Sequence, residues 1–107
     1  MSRNFMRVIV FFDLPVVKRE ERKEYQIFRR FLLNDGYTMI QYSVYSRICN
    51  GTDGAKKHIM RLVKNLPSKG SVRYLQITEK QYSEMKFLVG SPKPQEECIN
   101  SSQLNVF

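Results

Sequence analysis

A chain of 107 residues with 42% hydrophobic and 26% charged side chains has room for one folded domain, and this composition excludes a disordered or fibrous polymer. Its 18 lysine and arginine residues against 10 acidic ones give a formal charge of +8, which points to a polyanionic partner, nucleic acid first; an anionic membrane surface or a merely solvated basic face would explain the same surplus. No apolar run approaches the roughly 20 residues of a membrane span, Met1-Ser2-Arg3-Asn4 opens no secretory leader, and Cys49 and Cys98 have the spacing of neither a zinc site nor a disulfide framework, so a cytoplasmic protein is expected.

Met6 to Phe12 is almost continuously apolar, rich in β-branched and aromatic residues, and stops at Asp13-Leu14-Pro15, as a central strand does. Arg19 to Asp35 has the helical period. Tyr25, Phe28, Phe31 and Leu32 share one face, Arg19, Arg22, Lys23, Gln26 and Arg30 the opposite one, and Gly36 supplies the stop; Leu33 falls near the basic side. Thr38 to Ile48 has strand composition around Tyr42, Val44 and Tyr45 with no glycine or proline break, which leaves one long strand and a tight hairpin both open. Asn50 to Gly54 reads as a turn in which Thr52 or Asp53 caps the next helix. That helix buries Ala55, Ile59, Leu62, Val63 and Leu66 and exposes Lys57, Arg61 and Lys64, before Pro67-Ser68-Lys69-Gly70 ends it. Ser71 to Thr78 is a further strand, Glu79 to Glu84 a short helical turn, and Met85 to Val89 another strand-like run.

With the hairpin, the order is βαββαβ, an α+β fold of the ferredoxin-like kind filling residues 1–90. Both helices then cover one sheet face, and the other, left with apolar and aromatic side chains, suits a homodimer. Residues 91–107 form a polar tail with no core of its own, yet Leu104, Val106 and Phe107 bring apolar side chains back at its end. These three fit a short strand docking on a sheet edge of another subunit, and equally a frayed terminus.

The residues that could carry chemistry are few. Asp13 is the one carboxylate at the end of the central strand, held by the rigid Leu14-Pro15 step; it can bind magnesium through oxygen, or accept hydrogen bonds from the loop that follows. Lys18 extends the basic stripe of Arg19, Arg22, Lys23 and Arg30 far enough to follow several phosphates of a duplex. Glu20, Glu21 and Glu24 lie mostly off this stripe, so it is not neutralised along its own helix. The patch of Lys57, Arg61 and Lys64 is shorter. His58 reads as a surface histidine, Ser43 has no nucleophile-elbow context, and no glycine-rich phosphate loop or RNA-recognition aromatic motif is present.

Arg7-Val8-Ile9-Val10-Phe11-Phe12-Asp13-Leu14-Pro15, followed by Phe28, Leu32, Gly36 and Gln41-Tyr42-Ser43-Val44-Tyr45, resembles the CRISPR-associated protein two family over about residues 5 to 89. The ending Leu-Asn-Val-Phe looks like that of members from type II systems. The resemblance implies a ferredoxin-like fold, a hairpin in Thr38 to Ile48, and a homodimer whose first-strand aspartates, here Asp13, meet about a twofold axis and share magnesium. It implies one of two roles. One is a scaffold for spacer acquisition, holding double-stranded prespacer DNA and bridging dimers of the CRISPR integrase; the other is a metal-dependent endonuclease acting on single-stranded RNA or duplex DNA through Asp13 of both protomers. Many members carry tyrosine where Phe12 stands, so this chain lacks a hydroxyl that could orient water or phosphate.

Overall fold

The computed structural model describes residues 4–92. Its elements are β1 (Phe5–Asp13), α1 (Arg19–Asn34), β2 (Thr38–Gln41), β3 (Val44–Asn50), α2 (Gly51–Val63), β4 (Ser71–Thr78) and α3 (Glu79–Ser83). The first six follow the βαββαβ order, and the sheet is antiparallel in the order β2-β3-β1-β4, the ferredoxin-like arrangement expected from the sequence. The most apolar strand, β1, is central because neighbours on both sides satisfy its backbone groups.

Thr38 to Ile48 folds as a hairpin. Gln41 pairs with Val44 across the Tyr42-Ser43 turn, where Ser43 takes a φ of 64°. A bulge between Met39 and Gln41 turns Ile40 toward Ile9 and Tyr82.

Alternation along β1 divides the core. Val8, Val10 and Phe12 face α1 and α2 and pack with Phe28, Leu32, Tyr45 and Leu62. The ring of Phe12 lies edge-on to Phe28 at 5.2 Å and stacks on Tyr45 at 5.6 Å. α1 ends where Gly36, at φ 92°, admits a Schellman closure: the Tyr37 amide donates to Leu32 O and that of Gly36 to Leu33 O, while the side chains of Tyr37 and Leu32 are both buried.

The other face is covered only in part, by α3. Arg7 points to that side from within an apolar strand and is buried. Its Nε donates to Glu79 Oε1 at 2.6 Å and a second guanidinium nitrogen to Oε2 at 2.9 Å, with Ser46 Oγ at 3.3 Å and the Tyr82 ring 4.2 Å from the guanidinium carbon. This bidentate pair fastens α3 to the sheet, and nothing in the local sequence pattern announces it, since its partners stand 72 residues apart.

Four expectations need correction. Met85 to Val89 forms no strand among the described residues, because no neighbouring strand offers it a ladder; Leu88 and Val89 are 95% and 92% exposed. Val63 and Leu66 are exposed, since α2 ends at Val63 and its contact face is narrower than the periodicity suggested. Asn50, not Thr52 or Asp53, occupies the cap position of α2, which begins two or three residues sooner. His58 is not a free surface residue, for reasons given below. The tail residues Leu104, Val106 and Phe107 lie outside the described residues.

Candidate nucleic-acid interface and metal position

β1 carries Asp13 at its end, where Ser71 of β4 is its register partner. Strand alternation puts Asp13 on the face opposite Phe12, away from α1 and α2. Its carboxylate is exposed and has no hydrogen bond or ion pair among the described residues, so the following loop does not claim it. Beside it opens a hollow of about 510 Å³ lined by Phe11, Phe12, Asp13, Ser71, Arg73 and Tyr74. The chemistry of these donors fits a hard divalent cation: the free Asp13 carboxylate would supply one oxygen ligand, and magnesium would keep waters for the rest. No three His, Cys, Asp or Glu side chains come together among the described residues.

The backbone at Asp13 is held from behind. Gly70, at φ 91°, passes so near that a Cβ there would lie 2.6 Å from Asp13 O and 2.8 Å from Leu14 Cδ2. The loop carrying Gly70 is in turn tied to α1, for Glu24 accepts from the Ser68 amide at 2.8 Å and from the Ser68 hydroxyl at 2.7 Å. Those bonds, the backbone one first, hold the Glu24 carboxyl below its usual pKa.

The basic stripe is on the solvent side of α1. Lys18, Arg19, Lys23 and Arg30 are exposed and carry no ion pair among the described residues. Arg22 is exposed too, but its guanidinium folds back on the carbonyls of Val17 at 2.5 Å and Val16 at 3.4 Å, bracing the loop between Asp13 and α1. Glu21 completes that loop by accepting from the amides of Lys18 and Val17. The second patch divides: Lys57 and Lys64 are free among the described residues, whereas Arg61 donates to Asp35 Oδ1 at 2.9 Å.

Asp35, at the end of α1, also binds His58 Nδ1 through Oδ2 at 2.9 Å. Burial alone would raise its pKa, but the hydrogen bonds from His58 and Arg61 outweigh it and hold the carboxyl below the ordinary range. His58 and Arg61, one turn apart on α2, thereby anchor α1 to α2. The pattern of single residues missed this clamp because its acceptor lies on another helix. Cys49 is buried, and burial pushes its thiol pKa up, which suits packing and not nucleophilic work. The ring of Phe12 belongs to the aromatic layer beneath α1, with Tyr25 and Phe28 against it.

Among the described residues no helix is long and apolar enough to cross a membrane. Comparison with known families and proteins yields one consistent result. The family model described as CRISPR associated protein Cas2 matches residues 6–85. The chain is 62% identical over 102 residues to the CRISPR-associated endoribonuclease Cas2 of Acidovorax ebreus (strain TPSY), covering 95% of this chain and 100% of that one. It is 48% identical over 101 residues to the protein of the same name from Ligilactobacillus salivarius (strain UCC118), covering 94% and 98%. With that of Campylobacter jejuni subsp. jejuni serotype O:2 it shares 44% over 103 residues, 96% of this chain and 72% of the other.

Proposed function

The chain belongs to the CRISPR-associated Cas2 family, and from that premise we propose that it is a spacer-acquisition factor, a cytoplasmic homodimer that holds prespacer duplex DNA by its phosphates and bridges integrase dimers. One observation carries the reading: Lys18, Arg19, Lys23 and Arg30 form an exposed basic face without ion pairs among the described residues. Such a face neutralises backbone phosphates and ignores sequence, which is what a carrier of arbitrary fragments requires. A second copy has an apolar surface to cover, since Phe11, Leu75, Met85, Phe87, Leu88 and Val89 are all exposed. The outer edge of β4 is also unpaired among the described residues, and a strand from another chain could add to it.

A second reading has its own support: the free carboxylate of Asp13 beside an open hollow, and relatives named endoribonucleases. As a magnesium-dependent nuclease on single-stranded RNA or duplex DNA, the dimer would hold the metal between its two Asp13 carboxylates, and the ion when bound would supply Lewis-acid polarisation of a phosphate. This chain's own part would be to fix the carboxylate through the Gly70 approach and to hold the strand by the basic face.

The two readings part at Asp13→Ala. Light scattering of the protein with its integrase and a prespacer duplex, together with integration by both variants, distinguishes them. A stable complex and intact integration by Asp13→Ala support the scaffold. Normal assembly with integration lost, or magnesium-dependent cleavage by the purified protein that disappears in Asp13→Ala, would replace it with the nuclease.

A further inference from the structure

Arg73 belongs to no sequence motif and lies on the opposite side of the sheet from the α1 stripe. Its register partner on β1 is Phe11, while that of Asp13 is Ser71, so Asp13, Ser71, Phe11 and Arg73 occupy four adjoining positions on the face that α1 and α2 leave open. Diagonal neighbours of this kind stand about 7–8 Å apart, within reach of a long side chain. Yet the Arg73 guanidinium makes no ion pair with Asp13 and no side-chain hydrogen bond to any other described residue, although both line the same hollow. The Ser71 hydroxyl has no hydrogen-bond partner among the described residues either, and Ser71 stands opposite Asp13 and two residues before Arg73 on the same strand.

A guanidinium, a hydroxyl and a carboxylate around one open hollow, none engaged with its neighbours, match the parts of a single ligand. A phosphodiester presents two anionic oxygens to the guanidinium fork, and an oxygen of the same group can share a cation with the carboxylate. We infer that Arg73, with the Ser71 hydroxyl, seats one nucleic-acid backbone phosphate beside Asp13. Arg73 is then a binding residue for the strand at the metal position, separate from the phosphates held along α1. The inference rests on the reading of this chain as a nucleic-acid binder.

The test is a double-mutant cycle between Arg73→Gln and Asp13→Asn, read by fluorescence anisotropy of a labelled DNA duplex in EDTA over a range of salt. Arg73→Gln should weaken binding by about tenfold, as the loss of one charge-assisted contact does, and reduce the salt slope by about 0.9. Asp13→Asn removes a like charge beside the phosphate and should tighten binding without metal, but only while Arg73 is present to seat that phosphate. Arg73→Lys, which keeps the charge and loses the fork, should fall between. Unchanged affinity and slope in Arg73→Gln, or an Asp13→Asn gain of equal size in both backgrounds, would overturn the inference. If charge reversal on α1 still weakens binding in that event, the wider DNA-binding reading stands; absence of binding by the unaltered protein would overturn both. A change in the mass of Arg73→Gln by light scattering, accompanying its loss of binding, would assign Arg73 to assembly and likewise overturn the site.

Discussion

Beneath α1 and α2 the sheet presents Val8, Val10, Phe12 and Tyr45 to a continuous apolar layer, whereas on its other face Arg7, Ser46 and Asp13 alternate with Ile9, Phe11 and Leu75. The first face is stabilised by close packing of aromatic and branched side chains, which is tolerant of order but not of lost volume. The second is covered only where α3 lies on it, by the buried Arg7–Glu79 pair and the small cluster of Ile9, Ile40 and Tyr82, and beyond α3 it leaves Phe11, Asp13, Arg73 and Leu75 exposed.

The largest effects should come from breaking each face in its own way. Phe28→Ala opens a cavity among Phe12, Phe31 and Leu32 and should lower stability by about 3–5 kcal/mol in urea unfolding. Glu79→Gln leaves the buried guanidinium of Arg7 uncompensated and should also lower it by about 3–5 kcal/mol. Only the second loss should be repaired by changing the partner: Arg7→Met with Glu79→Leu should return to the stability of the unaltered protein or exceed it. Equal losses in the single and double variants would mean that α3 is held by something other than this pair.

Gly70→Ala should follow at about 1–3 kcal/mol, because a left-handed backbone and the Asp13 carbonyl at 2.6 Å both oppose a Cβ. Its distinguishing mark is local: displacement of Asp13, seen as altered amide shifts confined to the β1 and β4 ends. Ordinary stability in Gly70→Ala would show that the loop can retreat from Asp13 without loss.

A smaller effect is expected at the helix clamp. Asp35 has a depressed pKa in the folded state, so its contribution is fully present above the unfolded carboxylate value of about 3.9 and is lost as pH falls through the lower folded value. Asp35→Asn should lower stability at neutral pH by about 1–2 kcal/mol and flatten the acid limb below about pH 4. Thermal unfolding from neutral to acid pH measures both. An acid limb as steep as that of the unaltered protein would remove Asp35 from the account.

What was legible in the sequence follows the same division. The apolar run of β1 and the helical stripe of Phe28 and Leu32 depend on local periodicity, and the structure repeats them almost residue for residue. The hairpin was open because Tyr42-Ser43 carries no glycine, and Ser43 adopts the left-handed conformation anyway. Arg7 with Glu79, Asp35 with His58, and Ser71 and Arg73 beside Asp13 were not legible, since each depends on register or packing between segments far apart in the chain. Met85 to Val89 has the composition of a strand, but composition cannot supply a neighbour. Asp13 itself was legible as a candidate because a charge at the end of an apolar strand is conspicuous; that its carboxylate stays free among the described residues is a fact of geometry.

The proposed role of the exposed α1 face is to hold DNA by its phosphates. It is tested most directly by the salt dependence of duplex binding for the unaltered protein and for a variant carrying Arg19→Glu, Lys23→Glu and Arg30→Glu. Affinity should fall steeply with salt in the unaltered protein, and the variant should bind far more weakly, with a slope reduced by about 0.9 for each phosphate contact removed. An equal affinity and an equal slope in the two proteins would contradict it.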